Sequence, residues 1–299
     1  MYTTILTPTY NRGENLKKLY KSLLEQKDNR FEWLIVDDGS TDDTKKIIDE
    51  FLMDSKINIK YLYKKNGGKH TALNLGIKEI HTDLIFIVDS DDYLGDDAIQ
   101  LVNDVHEKYK KREDICGYSF LRMFPNKKIN GKILNANEII DDYINVRIKG
   151  NDIDSDKAEI WKTRYLKEYP FPEFDGEKFL GEDVVWLQLA LKYKMVFLSK
   201  AIYVSEYLSD GLTKNRRINN INSPIGCYNR AKIALNVCKC RKVRGKYLIK
   251  AMMQYQIYAK FSKNSLKEIY KECKQKILFI LMFLPSQYVY RKWRKKYVN

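Results

Sequence analysis

The feature that most constrains the fold of this sequence is a regular alternation, over about the first 110 residues, of short apolar runs and amphipathic helical patterns. Each apolar run is rich in β-branched and aromatic residues and ends at a polar cluster. The four runs span residues 4–7, 31–36, 59–63 and 84–88. Because strands that alternate with helices form βαβ units, the pattern predicts an α/β fold with a mostly parallel central sheet.

Polar clusters follow the four predicted strands. They are Thr9, Tyr10 and Asn11 after the first strand, Asp37 and Asp38 after the second, residues 66–69 after the third, and residues 89–92 after the fourth. In open α/β sheets, ligands bind in the crevice outside the carboxyl ends of the strands. The four clusters are therefore expected to converge on one ligand site.

The most acidic of these clusters, residues 89–92, has the sequence Asp-Ser-Asp-Asp. Crowded carboxylates repel one another unless a cation or a proton shares the site, and ligands that are all oxygen suit Mg or Mn. Such a cation neutralises the charge of a departing diphosphate. An acidic turn or a capped helix start is the alternative, but the position at a strand end favours the metal site.

Two further clusters are candidates for nucleotide contacts. Asp38 can accept a hydrogen bond from a base or a ribose hydroxyl, although an Asx turn that leads into a helix explains it equally well. Residues 66–70 offer glycine N–H groups, a cation and a helix start, which suit an anion, so Lys69 is the expected phosphate contact. The phosphate-loop pattern GxxxxGK[ST] and the dinucleotide pattern GxGxxG are absent from the sequence, which disfavours an ATPase or a dehydrogenase.

A separate acidic pair, Glu182 and Asp183, begins a pattern that predicts an amphipathic helix over residues 182–193. A carboxylate there can act as the base that takes the proton of an acceptor hydroxyl. The helix dipole also favours acids at helix N-termini, so a purely structural role is the alternative.

The net charge of +15 is concentrated near the C-terminus. Between Arg230 and Lys296 the chain has 19 of its 54 Lys and Arg residues but only two acidic residues, Glu268 and Glu272. This shift in composition predicts a second unit of two or three basic helices, with a boundary within residues 209–223.

The C-terminal stretch also combines apolar, aromatic and basic residues. The apolar segment 277–284 is too short to cross a membrane, which takes about 20 residues. Together with the basic and aromatic segment 288–297 it suits an anionic membrane surface; a helix packed on the main domain with a solvated basic face is the alternative. The five cysteines are scattered and no secretory leader precedes the first strand, so free thiols and a reducing compartment are expected.

Five motifs, in their order and spacing, resemble the family-2 glycosyltransferases with the GT-A fold. They are residues 7–12 (TPTYNR), 36–42 (VDDGSTD), 66–76 (NxGxxxAxNxG), 89–92 (DSDD) and 181–183 (GED). The resemblance is strong over residues 1–110, fair to residue 210 and absent in the basic tail. It implies a catalytic domain over 1–210, with a nucleotide-sugar half (1–110) and an acceptor half (111–210), and a basic helical region over 211–299.

The resemblance implies transfer of a sugar, with inversion, from a nucleotide diphosphate to an acceptor hydroxyl, with uridine diphosphate as the default donor nucleotide. Asp38 is expected to recognise the nucleotide base. Pro8, Thr9 and Tyr10 are expected to form the base-binding strand end. Ser90 is also expected to contact the nucleotide.

For the metal and the base, the resemblance implies that Asp89 and Asp91 are the pair associated with Mn or Mg, with Asp91 the direct ligand, and that Asp183 is the general base. No histidine follows His106, so the metal is expected to rely on carboxylate, diphosphate and water. The Q-x-x-R-W motif and the membrane spans of processive synthases are absent from the sequence, so addition of one or a few sugars is expected.

The expected partners are a nucleotide-sugar donor, a saccharide or lipid-linked saccharide acceptor in surface polysaccharide or glycolipid assembly, and an anionic membrane surface. Nucleic acid is not expected, and the sequence leaves the oligomeric state open. The expected location is cytoplasmic, at the inner face of the cell membrane. Three alternatives remain: a nucleotidyltransferase that makes nucleotide sugars, a basic nucleic-acid- or membrane-binding protein without catalysis, and an inactive nucleotide-binding scaffold.

Overall fold

A computed structural model of the chain describes residues 2–206 and 215–298, and these residues form two units. The first unit consists of Met1–Pro170 and Lys192–Leu208, and the second consists of Phe171–Leu191 and Ser209–Asn299. The boundary predicted between residues 210 and 211 lies outside the described residues.

The strands of the first unit are β1 (Thr3–Thr9), β2 (Phe31–Asp37), β3 (Ile59–Tyr63), β4 (Leu84–Ile87), β5 (Tyr93–Leu94), β6 (Ile115–Met123), β7 (Glu138–Asp141), β8 (Lys157–Lys162) and β9 (Lys194–Val204). Its α-helices are α1 (Gly13–Leu24), α2 (Thr44–Asp54), α3 (Lys69–Glu79), α4 (Ala98–Tyr109) and α5 (Thr163–Lys167), and a π-helix covers Ile144–Lys149. The predicted α/β class is confirmed.

The described strands form one sheet in the order β3-β2-β1-β4-β8-β6-β9-β5, with β7 paired to β9. Strands β1 to β4 pair only in parallel with one another. The rest of the sheet is mixed, because β8 runs antiparallel to both β4 and β6, while β6 and β9 are parallel. The mostly parallel sheet predicted from the sequence therefore holds for the first half only. After α4 the chain no longer alternates strand with crossover helix, and only parallel neighbours need such a crossover.

Burial explains why the first strands and helices form where they do. All seven residues of β1 and of β2 are buried, as expected for parallel strands covered on both faces. The apolar stripe of α1 is buried at Leu16, Leu19, Tyr20 and Leu23. The Tyr20 ring stacks on Phe51 of α2 with a centroid distance of 4.2 Å. Each such large side chain removed from water contributes about 1.5–3 kcal/mol, which ties the helices to the sheet.

The second unit is helical in the residues that the structure describes. Its helices are α6 (Asp183–Leu189), α7 (Arg216–Asn222), α8 (Pro224–Cys240), α9 (Lys246–Phe261), α10 (Leu266–Glu272) and α11 (Lys276–Tyr297). Helix α6 is shorter than the helix predicted over 182–193, and four helices follow Ser223 instead of two or three. Segment Phe171–Leu191 groups with these helices, whereas the sequence analysis placed it in the acceptor half.

Segment 277–284, which the sequence analysis found too short to cross a membrane, lies in α11. Within the two described ranges, no helix has the length and apolar character needed to cross a membrane.

Candidate active site

The sheet brings the predicted polar clusters to one edge. Strands β1 and β2 are parallel and in register, so that Thr9 pairs with Asp37, and β4 runs parallel on the other side of β1. The loops after β1 and β2 are tied together, since the Asn11 N–H donates to Ser40 Oγ (2.8 Å) and the Thr41 N–H donates to Asn11 Oδ1 (2.8 Å). This edge is where an α/β sheet binds its ligand.

The Asp38 carboxylate organises the loop that precedes α3. It is 3% exposed and accepts hydrogen bonds from Lys64 Nζ (2.7 Å), the Gly67 N–H (2.9 Å) and the Gly68 N–H (2.7 Å). The glycine N–H groups that the sequence analysis offered to an anion are therefore bonded to Asp38. Asn66 Nδ2 also donates to Asp38 Oδ2 (3.1 Å), so both oxygens are engaged and a bound base would have to replace one of these bonds.

Gly39 allows this loop to approach β2. Its φ of +86° lies in the left-handed region, and a Cβ at this position would lie 2.8 Å from the Asn66 backbone N. A side chain would therefore separate Asp38 from the loop that it organises.

Asp89 is neutralised by two basic side chains from other elements. Lys69, the first residue of α3, bonds Asp89 Oδ1 through Nζ, and Arg122 of β6 lies 3.7 Å from Oδ2. Burial alone would raise the pKa of Asp89, but Lys69 and then Arg122 outweigh it, and the pKa is lowered. The predicted phosphate contact and the predicted metal-associated carboxylate thus form an ion pair with each other.

Asp92 belongs to a buried network behind this ion pair. The Tyr203 hydroxyl donates to Asp92 Oδ2 (2.8 Å) and accepts the Asp89 N–H (2.9 Å), and the Arg122 guanidinium lies over the Tyr203 ring, 3.9 Å from its centroid. Burial, and next the charge of Asp89, raise the pKa of Asp92 to about 7. Burial also raises the pKa of Tyr203, so its hydroxyl remains a donor.

Asp91 differs from both of its acidic neighbours. Within the described ranges, no other residue donates a hydrogen bond to its carboxylate or forms an ion pair with it. Burial, followed by the charge of Asp89, raises the pKa of Asp91, while Lys69 and Arg12 oppose the shift more weakly. A partly buried carboxylate that is penalised in its charged form is suited to receive a cation.

The donor set fits a metal only in part. No group of three or more His, Cys, Asp and Glu side chains in residues 2–206 and 215–298 is arranged to hold an ion. Mg is nevertheless commonly held by one or two carboxylates together with substrate phosphates and water. Asp91 fits that role, because no other described residue bonds to its carboxylate, whereas Asp89 is engaged by Lys69 and Arg122.

The remaining predicted nucleotide residues lie at the same strand ends. Pro8 is buried within β1 and pairs with Val36. The Thr9 hydroxyl is buried, and no described residue bonds to it. The ring of Tyr10 is 48% exposed, so it can stack on a planar base. Ser90, which lies between Asp89 and Asp91 in the sequence, is buried.

Asp183, the predicted base, lies in the second unit at the first position of α6. Arg230 of α8 binds it bidentately, with Nε donating to Oδ1 and Nη2 donating to Oδ2 (2.7 Å). Gly181 leaves room for this pair, because a Cβ there would lie 2.9 Å from Asp183 Oδ1 and 3.2 Å from Arg230 Nε. The carboxylate is therefore held in one orientation.

The residues that the sequence analysis missed are the basic and aromatic partners of these acids. They are Lys64, Arg122, Tyr203 and Arg230. A signal existed for Arg122, which is the single charged residue in β6 (ICGYSFLRM), since a buried Arg needs a partner. Arg230 has no such signal, because it is one of many cations in a basic tail.

Solved structures similar to this chain include two glycosyltransferases. Residues 1–349 of Staphylococcus aureus TarS with UDP-GlcNAc give a TM-score of 0.65 at 19% identity, covering 94% of this chain and 79% of that one. The mannosyltransferase PcManGT of Pyrobaculum calidifontis, in complex with GDP-Man and Mn²⁺, gives a TM-score of 0.57 at 15% identity, covering 99% and 83%. At these identities the likeness shows the fold, and it confirms the predicted GT-A fold.

Curated relatives are similar in sequence. Glycosyltransferase GlyG of Streptococcus pneumoniae is 36% identical over 107 residues, which are 35% of each chain. The teichoic acid poly(glycerol phosphate) polymerase of Staphylococcus epidermidis is 29% identical over 148 residues, 47% of this chain and 20% of that protein. A Campylobacter jejuni protein named GalNAc(5)-diNAcBac-PP-undecaprenol β-1,3-glucosyltransferase is 27% identical over 295 residues, 95% of this chain and 90% of its own.

This chain thus spans about a third of GlyG and a fifth of the polymerase. A family model also matches this chain. The family model described as Glycosyl transferase family 2 matches residues 4–153, half of the chain. The chain belongs to glycosyl transferase family 2.

Proposed function

We propose that this protein transfers a sugar from a nucleotide diphosphate donor, with uridine diphosphate the first to test, to an acceptor hydroxyl, with inversion at the anomeric carbon. The observation that carries the proposal is the edge of the sheet where β1, β2 and β4 end. There the exposed Tyr10 ring, the rigidly held Asp38 and Asp91, to whose carboxylate no other described residue bonds, follow adjacent parallel strands. Family membership supports the same reaction class.

Binding of the donor is assigned to the first unit. Tyr10 stacks on the base, and a base N–H takes the place of Asn66 Nδ2 on Asp38 Oδ2. Pro8, Thr9 and Ser90 shape the strand ends around the base. The Lys69 ammonium is paired with Asp89, and a diphosphate would add a second anion for it to bridge. Lys69 therefore both neutralises Asp89 and attracts the phosphate.

A divalent cation, Mn or Mg, would be held by Asp91 with the diphosphate and water, and next to Asp89. When bound, it supplies charge neutralisation for the diphosphate that leaves. The all-oxygen donor set suits these ions. The complex of the structurally similar PcManGT with GDP-Man and Mn²⁺ supports this choice of metal.

Activation of the acceptor is assigned to Asp183. The acceptor oxygen forms a bond to the anomeric carbon while the bond from that carbon to the diphosphate oxygen breaks and the diphosphate leaves with the electron pair. The proton of the acceptor passes to Asp183. Arg230 uses one lone pair on each carboxylate oxygen, and a carboxylate has about four such sites, so two remain and either can take the proton. A single displacement of this kind inverts the anomeric centre.

For the acceptor, we propose a saccharide carried on a lipid. The relative from Campylobacter jejuni, matched over 95% of this chain, is named for an undecaprenol-diphosphate-linked saccharide. Surface polysaccharide or glycolipid assembly at the cytoplasmic face of the cell membrane is the setting that we propose for this protein.

The test is release of nucleoside diphosphate from a panel of UDP- and GDP-hexoses by the full chain, with Mn²⁺ or with EDTA, in the presence of lipid-linked saccharides. Metal-dependent release of UDP or GDP, with a product of inverted anomeric configuration by NMR, is expected. Formation of nucleoside triphosphate from a nucleotide sugar and pyrophosphate would instead identify a nucleotidyltransferase and overturn the proposal.

A further inference from the structure

Helix α11 has an apolar stripe that no described part of the chain covers. Ile277 is 78% exposed and Leu284 is 75% exposed, and Leu281 and Tyr288 are exposed as well. These side chains follow one another at intervals of four, three and four residues, so they lie on one face of the helix. Isolated exposed apolar residues are ordinary, but a contiguous row of this kind marks an interaction surface.

The opposite face of α11 already has its packing partner. Phe279 is buried and its carbonyl accepts a hydrogen bond from Gln256 Nε2 of α9 at 2.7 Å. Farther along, the ring of Tyr290 lies 4.7 Å from that of Phe261. The helix is therefore fixed to its unit by one face, and the exposed stripe is not needed for that attachment.

The stripe continues as a row of cations. Arg291, Lys292 and Lys295 are exposed and, at 100° per residue, project from the same face as Ile277 and Tyr288. Helix α11 contains six basic residues and no acidic residue (KILFILMFLPSQYVYRKWRKKY). One face thus presents apolar side chains over its first three turns and positive charges over its last two.

We propose that this face of α11 is a docking surface for an anionic lipid bilayer, with the helix lying in the plane of the membrane. Ile277, Leu281 and Leu284 insert between the headgroups and the acyl chains, while Lys292 and Lys295 contact lipid phosphates. A basic, aromatic and apolar helix without the length to span is the usual composition of an interfacial helix. The inference deepens the membrane location proposed above and does not depend on catalysis.

Two other occupants fit the surface less well. A second copy of the chain would bring two helices with six basic residues each into contact, without acids on α11 to offset the repulsion. A nucleic acid would use the cations but would leave the apolar stripe in water. An anionic membrane would cover the apolar side chains of the first turns and pair with the cations of the last turns.

The experiment is sedimentation of the full chain with vesicles of phosphatidylcholine alone, or with about one third phosphatidylglycerol, without donor or acceptor. The first variant is Ile277→Gln with Leu281→Gln and Leu284→Gln, compared with a control that replaces the exposed Met53 by Gln. The second variant is Lys292→Gln with Lys295→Gln, and its control is Lys239→Gln with Lys267→Gln, which removes the same charge from elsewhere in the same unit.

The wild-type chain is expected to bind anionic vesicles, and both α11 variants are expected to lose roughly tenfold or more in apparent affinity, while both controls bind like wild type. Equal binding by the stripe variant and its control would overturn the proposal, as would equal binding to neutral and anionic vesicles. A concentration-dependent dimer that the stripe variant abolishes, or binding to generic DNA without binding to vesicles, would overturn it in favour of another partner. Because no sugar transfer is measured, failure here is distinguishable from failure of the proposed function.

Discussion

Two aspartates proposed for different parts of one reaction, Asp91 and Asp183, lie in opposite surroundings. No other described residue bonds to Asp91, and burial beside Asp89 raises its pKa. Asp183 is bound through both of its oxygens by Arg230. The difference indicates that a carboxylate that binds a cation only during the reaction has no permanent partner, and that its charged form is disfavoured until the cation arrives. A carboxylate that must accept one proton is instead oriented by a permanent partner.

The largest effect is expected from Asp183→Asn. Removal of a general base typically lowers the rate of the chemical step by about 10²–10⁴-fold, and the amide can still accept one hydrogen bond from Arg230. We expect kcat to fall by this factor while the affinity for nucleotide stays within about twofold. The matched control is Asp175→Asn, an exposed acid of the same unit, and near-normal turnover of the Asp183 variant would show that another group is the base.

The second largest effect, on nucleotide binding, is expected from Asp91→Asn. The amide oxygen is a poorer ligand than a carboxylate, so Mn²⁺-dependent affinity for nucleoside diphosphate should fall by roughly tenfold or more, about 1.4 kcal/mol. Calorimetry with and without Mn²⁺ measures this difference. Asp104→Asn, at an exposed position of the same unit, is the control. A variant that keeps the full metal dependence would end the assignment of Asp91 as ligand.

A smaller effect is expected from Arg230→Lys. Lysine keeps the positive charge but cannot form the bidentate pair, so Asp183 keeps a cationic partner but is less well oriented. We expect kcat to fall by about tenfold with KM nearly unchanged, and Arg230→Gln should be more impaired than Arg230→Lys. If the pair served stability alone, both variants would lower the unfolding temperature without changing kcat at a temperature where they are folded.

The smallest effect on transfer is expected at Asp28, a paired carboxylate remote from the predicted catalytic motifs. Arg30 Nη2 donates to Asp28 Oδ2 (2.6 Å). This bond and one from Asn103 outweigh burial, which alone would raise the pKa, and lower the pKa of Asp28 to about 2. A lowered pKa stabilises the fold at pH values above the unfolded-state pKa near 4, and this contribution is lost as the pH falls towards 2. Asp28→Asn should therefore cost on the order of 1 kcal/mol near pH 7, since Arg30 is half exposed, and less near pH 2.

Measurement of unfolding by urea at pH 7 and pH 3 tests this, with Asp104→Asn as the control. Unchanged transfer is expected in the Asp28 variant. A loss of transfer comparable to that of the Asp183 variant would mean that pairing of carboxylates in general, and not the position of Asp183, supports activity.

The first half of the fold could be predicted from the sequence because its information is local. Apolar runs place β1 to β4 within a few residues, the amphipathic patterns between them indicate helices, and the ends of parallel strands meet at one edge whatever their side chains. The mixed half of the sheet could not be predicted, since the direction in which β8 pairs with β4 and β6 is decided by contacts between distant segments.

The candidate site was predictable in its acids but not in their partners. Asp38, Asp89 and Asp91 follow apolar strands and are visible as motifs. That the glycine N–H groups of residues 67 and 68 turn to Asp38, and that Arg230 binds Asp183 across 47 positions of sequence, depends on tertiary packing. The same limitation applied to α11, whose composition is visible in the sequence while its exposed face depends on which side packs on α9.

The measurement that tests the central claim most directly is calorimetric titration of uridine and guanosine diphosphates, with and without Mn²⁺, into the wild-type protein, Asp91→Asn and Asp183→Asn. A donor site at the strand ends predicts metal-dependent binding of one nucleotide to the wild type and to Asp183→Asn, and its loss in Asp91→Asn. Absence of binding to the wild type, or equal binding by all three proteins with and without Mn²⁺, would contradict the account.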